Sequence, residues 1–215
     1  MQIVSTNIAK PTIIEWRGQE VQTGIFKYEV ETPIYLGMED VENDHVIDRR
    51  YHGGTEKACY LYSSDHYPFW KQKYPELKWE WGMFGENLTV GGLNESEIRI
   101  GDRYQIGEAI VQVSQPRQPC FKLGIRLGTQ SAVDEFWNAP YPGVYVRVLQ
   151  SGNVGKGDHF ILLETNSDSL SVSQVFSIFR KNFTDFNLIK KAIEEPFLAE
   201  SCRKDIRKIL ERSKD

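Results

Sequence analysis

A short stretch around Cys120 carries the residue types best suited to chemistry in this chain. Residues 113–123 read Val-Ser-Gln-Pro-Arg-Gln-Pro-Cys-Phe-Lys-Leu. Two prolines stiffen the loop by fixing backbone φ, while Arg117 and Lys122 place cations near the thiol. Neighbouring cations favour the thiolate, which attacks electrophiles and binds soft metals. The pattern therefore predicts a reactive or metal-binding Cys120, and a buried inert cysteine is the alternative.

A glycine pair upstream could contact an anion. Residues 51–58 read Tyr-His-Gly-Gly-Thr-Glu-Lys-Ala. The glycines let the backbone approach a ligand closely, and successive amides can form an anion nest. His52 and Lys57 add donors. An ordinary turn with solvated His52 and Lys57 explains the same residues, so both interpretations stay open.

A second glycine turn precedes a predicted strand. Residues 82–89 read Gly-Met-Phe-Gly-Glu-Asn-Leu-Thr, and Gly85 permits a sharp bend. Glu86 then supplies an acceptor and Asn87 an amide, which could orient a ligand. A turn whose polar side chains bond the local backbone is the simpler interpretation of this segment by itself.

The elements that must position these residues are mainly short strands. Glycine and proline separate segments rich in Val, Ile, Tyr and Phe, which predict strands over residues 3–8, 24–29, 57–62, 87–90, 103–106, 110–114, 144–150 and 159–164. Many short strands at this spacing favour a barrel or a sandwich. Two helices are predicted between them, one from Ser64 to about Tyr74 and one over residues 130–138.

The pattern changes at a polar, turn-like stretch over residues 165–169, which predicts a linker. Three short helices are predicted beyond it, with Ser171 capping the first and Thr184 the second. Short helices are marginal in water alone, so these must pack on each other or on the sheet. The chain is therefore predicted to divide into a mainly β domain over residues 1–165 and a three-helix appendage over residues 166–215.

The third of these helices carries a cysteine and a basic run. No chemistry-bearing neighbours converge on Cys202 in the sequence, which favours simple packing. The basic residues have acidic neighbours, which is typical of a solvated face. They are Arg203, Lys204, Arg207, Lys208 and Arg212.

Composition limits the classes of function. The chain has 215 residues and a net charge of −4, which disfavours a broad nucleic-acid surface. No stretch approaches the roughly 18 apolar residues of a membrane span. Three widely spaced cysteines do not form a disulfide framework, so we expect a reducing, cytoplasmic setting. Flavin, haem and iron–sulfur signatures are absent from the sequence, and pyridoxal or nucleotide cofactors are not indicated.

In this order, the sites resemble the MOSC family, and specifically its YiiM-like branch. The resemblance covers nearly the whole chain, including the three-helix tail from Ser171. The residues that carry it are His52-Gly53-Gly54 with Lys57, Gly85-Glu86-Asn87-Leu88, Gly91-Gly92-Leu93 with Glu95, Gly101-Asp102, residues 112–117, Pro119-Cys120 and Lys122-Leu123.

The resemblance implies a MOSC-type β-barrel that binds the molybdenum cofactor, a pterin-phosphate dithiolene. The family cysteine corresponds to Cys120, which is thereby implied to ligate molybdenum, or to carry sulfur as in sulfur-handling relatives. Arg117 and Lys122 are implied to act beside it. The implied cofactor-binding residues are His52, Gly53, Gly54, Lys57, Glu86, Asn87, Ser114, Arg117, Cys120 and Lys122.

The resemblance also implies an activity. Members of this branch are linked to the reduction of N-hydroxylated bases such as 6-hydroxylaminopurine to the amino form. We therefore expect an oxidoreductase with a small-molecule substrate and a separate electron-donor protein. A cofactor carrier or sulfur-handling module with a Cys120 persulfide is the first alternative. A purine-binding module without turnover is the second. Lys57 stands where some relatives have arginine, which preserves a phosphate contact but not a bidentate one.

Overall fold

The computed structural model describes residues 1–45, 54–181 and 183–212. Within these ranges the strands are β1 (Gln2–Ala9), β2 (Thr12–Trp16), β3 (Gln19–Thr23), β4 (Lys27–Val30), β5 (Ile34–Leu36), β6 (Cys59–Ser63), β7 (Leu88–Gly91), β8 (Arg103–Ile106), β9 (Ala109–Pro116), β10 (Val144–Gln150), β11 (Gly152–Val154) and β12 (Phe160–Glu164). In the same ranges the α-helices are α1 (Tyr67–Lys73), α2 (Phe121–Arg126), α3 (Ser131–Asn138), α4 (Val172–Ser177), α5 (Phe186–Glu194) and α6 (Glu200–Arg212).

One large sheet dominates the molecule. Its eight strands lie in the order β12-β8-β9-β10-β6-β7-β1-β4, and β6 and β7 run parallel while the other neighbours run antiparallel. An isolated bridge joins Gln2 to His159 next to β12, but no continuous ladder closes the sheet in the part of the chain described. The predicted mainly β fold is confirmed, whereas a closed barrel is not.

The apolar core runs from the sheet into the C-terminal helices. Val111 and Val113 of β9 belong to the same buried cluster as Val175 of α4, Ile189 of α5 and Ile206 of α6. Because β9 is covered on both sides, its apolar run lacks the alternation of a half-exposed strand. The division into residues 1–165 and 166–215 stays a prediction, although the two parts share this core.

Several local predictions can be compared with the helices. Ser171 caps α4 through a reciprocal capping box with Gln174. The cap of α5 is Asp185 rather than Thr184, since its carboxylate accepts from the N–H groups of Asn187 and Leu188. None of the helices in the described ranges is both long and apolar enough to cross a membrane.

Strands β5 and β11 were not predicted from the sequence, and neither were two elements near Cys120. The short helix α2 follows Cys120 directly, where we expected an irregular loop. The hairpin of β2 and β3 turns at Arg17 and Gly18, whose φ values of 52° and 74° fit the tight turns that match strand twist. Both elements border the region around Cys120, since Trp16 at the hairpin tip stacks on Phe121 with ring centroids 4.7 Å apart.

Candidate functional site

A cleft of about 630 Å³ lies between the loop after β9 and helix α6. This volume is within the range of small-molecule sites, which spans roughly 300–1,000 Å³. Residues from the loop, from β10 and from α6 line it together: Lys57, Gln115, Gln118, Pro119, Cys120, Phe121, Lys122, Tyr145, Ser201, Cys202, Lys204, Asp205 and Lys208. Three of the predicted site residues, Cys120, Lys57 and Lys122, therefore line one cleft.

Cys120 occupies the residue before the first turn of α2. Its backbone is extended, with φ −132° and ψ 173°, and its carbonyl accepts from the N–H of Leu123 at 2.9 Å. Leu123 is fully buried, so its packing anchors α2 and holds the preceding residue at the cleft. The thiol is free and half-buried. It can therefore meet a ligand in the cleft without local unfolding.

The Ser114 hydroxyl stabilises the turn that contains Lys57. Its hydroxyl lies 2.6 Å from the carbonyl oxygen of Glu56, to which it donates, and 2.9 Å from that of Tyr145. The Gly54 carbonyl closes the same turn by accepting from the N–H of Lys57 at 2.9 Å. Ser114 thus does not line the cleft but positions Lys57 within it.

The carboxylate of Glu56 stabilises the same turn through contacts with β10 and α6. Its carboxylate accepts from Arg147 Nη2 of β10 and from the backbone N–H of Glu200 at the start of α6, each at 3.0 Å. A carboxylate at a helix N-terminus satisfies an otherwise unpaired donor and complements the helix dipole. Glu56 therefore connects the Lys57 turn, the sheet and α6.

Burial sets the electrostatics of Lys57. Partial removal from water lowers the pKa of this amine below its ordinary value, and the nearby Cys202, Glu56 and Asp205 groups raise it by less. The amine is thereby biased toward releasing a proton at a lower pH than an exposed lysine. This property suits a proton donor as well as an anion contact.

Arg117 lies behind the cleft rather than in its lining. The guanidinium is buried, donates from Nη1 to the carbonyl of Phe84, and sits 4.9 Å from the centroid of the Tyr60 ring. Its position therefore supports the Cys120 loop against the segment around Phe84. The catalytic role expected of Arg117 stays a prediction.

Glu86 is enclosed by donors from its own segment and from α1. Its carboxylate accepts from the N–H groups of Gly82 and Phe84, each at 3.0 Å, from the Thr89 hydroxyl at 2.9 Å and from the Tyr67 hydroxyl. Burial raises its pKa in spite of these donors. Glu86 therefore organises the turn and does not line the cleft.

Asn87 is likewise a structural residue in its observed contacts. Its Oδ1 accepts from the N–H of Tyr60 at 3.3 Å, and its Nδ2 donates to Asp44 at 2.8 Å. The local-turn interpretation thus accounts for the observed contacts of both Glu86 and Asn87, and their part in cofactor binding stays a prediction. His52 and Gly53 lie outside the described residues.

Helix α6 supplies the cleft residues that sequence analysis missed. Ser201, Lys204, Asp205 and Lys208 follow the spacing of one helical face, and Ser201 donates to Gln115 of β9 at 3.2 Å. Lys204 and Lys208 are exposed, as the predicted solvated face requires, and this exposed face also borders the cleft. The helical spacing of these residues is visible in the sequence, but the surface that the helix face borders is not.

The other basic side chains of α6 have structural contacts. Arg203 donates to the carbonyl oxygens of Glu195 and Leu198, at 2.6 and 3.1 Å. Arg207 pairs with Glu200 at 3.2 Å. Cys202 is buried, as packing predicted, and burial raises the pKa of its thiol. Among the described residues, no group of three or more His, Cys, Asp or Glu side chains is arranged to hold a metal ion.

Comparison with known proteins agrees with this architecture. The family model of the MOSC domain matches residues 48–160, which is more than half of the chain. The chain belongs to the MOSC domain family. It is 37% identical to the protein YflK of Bacillus subtilis (strain 168), over 94% of this chain and 90% of that protein.

Two further relatives show the range of the family. A protein of Gibberella moniliformis named "Reductase" is 33% identical over 83% of this chain, which spans only 32% of that longer protein. The crystal structure of YiiM from Geobacillus stearothermophilus superposes with a TM-score of 0.81 and 33% identity, covering 97% of this chain and 98% of that one. The chain therefore has a YiiM-like fold along almost its entire length.

Proposed function

We propose that this protein binds the molybdenum cofactor in the Cys120 cleft and reduces N-hydroxylated compounds to amines. The observation that carries the proposal is that a free thiol and several ammonium groups line one cleft. MOSC membership and the relative named "Reductase" support a redox role. A cytoplasmic location and a separate electron-donor protein, both expected from the sequence, belong to the same proposal.

The residues of the cleft fit the chemistry of such a cofactor. A soft metal centre takes a thiolate ligand, and Cys120 is half-buried at the cleft wall. A pterin phosphate requires cations, and Lys57 and Lys122 lie along the same cleft. The cofactor would therefore be held by these three side chains, with Ser114 and Glu56 fixing the turn of Lys57.

When bound, the cofactor supplies the two-electron chemistry that removes the oxygen of an N–OH group. The balanced change is R–NHOH plus two electrons and two protons to R–NH₂ plus water, with the electrons delivered by the donor protein. Lys57 is suited to deliver a proton to the departing oxygen, because burial lowers the pKa of its amine. Cys120 would ligate and tune the metal centre, while Lys122 would hold the anionic group.

The proposal is tested by elemental analysis for molybdenum on protein expressed in cells that make the cofactor. Wild type should carry close to stoichiometric metal, and Cys120→Ala should lose most of it. Cys59→Ala is the matched control, because Cys59 is buried in β6 away from the cleft. We expect loaded wild type, given a chemical reductant, to convert 6-hydroxylaminopurine to adenine.

A metal-free wild type expressed in those cells would contradict the proposal. Intact mass then separates the alternatives. A labile additional sulfur on Cys120 would indicate the sulfur-handling module, whereas purine binding without it would indicate a binding module without turnover.

A further inference from the structure

Helix α6 gives the cleft a second, cationic wall. Lys204 and Lys208 lie one turn apart on its cleft face, and Lys208 Nζ is 2.8 Å from Asp205 Oδ1. Lys122, two residues after Cys120, lines the same cleft. In the described part of the chain, neither Lys204 nor Lys122 has an ion-pair partner. The α6 wall thus offers an ammonium group that the fold itself does not use.

The charge of the cleft is opposite to that of the molecule. Four ammonium groups and one carboxylate line it, whereas the whole chain has a net charge of −4. A concave site lined by one sign of charge concentrates ligands of the other sign. The cations come from separate segments of the chain, with Lys204 and Lys208 on α6, so they can contact a ligand that is anionic at more than one position.

An aromatic side chain adjoins the thiol. Phe121 lines the cleft, and its ring is held by stacking on Trp16 at 4.7 Å with an interplanar angle of 22°. Flat bases stack favourably on such rings. The cleft therefore combines an aromatic group beside Cys120 with an ammonium pair on the facing helix.

We propose that the substrate is an N-hydroxylated nucleotide, whose base lies by Phe121 and Cys120 and whose phosphate contacts Lys204 and Lys208. This inference rests on the proposed function for its redox step, in which the N–O bond of the base breaks with two electrons from the donor protein and two protons. The phosphate contact itself needs no electrons. A free base would leave the α6 wall without a ligand.

The first test measures binding to metal-free protein by calorimetry, with adenosine monophosphate, adenosine and adenine as probes. Wild type should bind the monophosphate at least about tenfold more tightly than adenosine, because charge-assisted contacts are added. Lys204→Glu/Lys208→Glu should reduce that preference to less than about threefold. Lys190→Glu/Lys191→Glu is the matched control, since it makes the same charge change on exposed positions of α5 outside the cleft lining.

The variant Lys204→Met/Lys208→Met removes both positive charges without adding negative ones, so it controls for misfolding or new repulsion in the glutamate variant. It should also lose the preference for the monophosphate over adenosine. Equal affinity of wild type for adenosine monophosphate and adenosine would overturn the proposal. An equal loss of this preference in Lys190→Glu/Lys191→Glu would also overturn the proposal, because the overall charge of the protein would then explain the binding.

The second test separates a substrate phosphate from the cofactor phosphate. In protein loaded with molybdenum, the monophosphate should still bind, and the Lys204→Glu/Lys208→Glu variant should keep its metal. If loading instead blocked the monophosphate and the variant lost its metal, the α6 lysines would belong to the cofactor, and the proposal would be overturned. Failure of the Cys120→Ala metal test, with nucleotide binding intact, would remove the redox function alone.

Discussion

At the scale of single residues, the site depends on two lysines that line the cleft with Cys120, one close to it in sequence and one distant. Lys122 follows the cysteine by two positions and reaches the cleft through the first turn of α2. Lys57 lies in a turn more than sixty residues earlier in the chain, and the Ser114 hydroxyl holds that turn in place. The two lysines therefore differ in how they reach the cleft, and burial lowers the pKa of Lys57.

This difference predicts a pH dependence of anion binding. Lys57 is charged below its pKa, so its attraction for phosphate is present at neutral pH and is lost as pH rises through that lowered value. Lys57→Arg should keep the charge at all accessible pH values and shift the alkaline loss upward. The measurement is the molybdenum that loaded wild type and Lys57→Arg retain after dialysis between about pH 7 and 10.

The phosphate itself does not titrate in this range, because its second pKa is about 6. The groups facing Lys57 from the adjoining elements are Glu56, Cys202 and Asp205, and each raises its pKa by less than burial lowers it. An alkaline limb that is the same in wild type and Lys57→Arg would show that another group controls binding.

At the scale of elements, α6 is both a structural helix and a wall of the site. Ile206 packs in the core, while Lys204 and Lys208 border the cleft. The Glu56 carboxylate and the Ser201–Gln115 bond attach its first turns to the sheet. The position of the cationic wall therefore depends on contacts at the start of the helix.

Glu56→Gln should loosen this attachment. The amide removes the charge that the Glu200 N–H and Arg147 engage, which we expect to cost about 1–2 kcal/mol of local stability. Hydrogen exchange should accelerate in α6 and leave α1 unchanged, and the preference for the nucleotide should fall. Glu97→Gln is the control, because Glu97 lies on an exposed turn away from α6. Unchanged exchange in α6 would mean that core packing alone holds the helix.

At the scale of the whole molecule, the shared core predicts that the sheet and the tail helices unfold together. Ile206 is fully buried among residues of both. Ile206→Ala should lower the free energy of unfolding by about 2–5 kcal/mol, because it removes buried methyl groups and leaves a cavity. Ile13→Ala, at a position 60% exposed on the β2–β3 hairpin, should have little effect.

Near- and far-ultraviolet circular dichroism during denaturation measure this coupling. We expect one coincident transition in both wild type and Ile206→Ala. Two separated transitions would instead support an appendage over residues 166–215 that folds independently of the sheet.

Much of the local structure followed from local patterns. The strands β8 and β10 have the predicted bounds, and Ser171 caps α4 as expected. Helix α2 was missed because six residues containing Gly124 carry little helical signal, and burial of Leu123 stabilises them. The cap of α5 was predicted at Thr184, one residue before the observed cap Asp185, because Thr and Asp are both good capping residues.

The sequence by itself determined the family motifs, the mainly β class and the stiff loop around Cys120, since these depend on residues close together in the chain. Only the tertiary structure decided which polar residues face a ligand. Glu86 and Arg117 turned inward because buried donors and acceptors must be paired. Lys57 and Lys204 line the same cleft as Cys120 because long-range contacts through Ser114, Glu56 and the apolar core bring distant segments together, and no local pattern encodes such contacts.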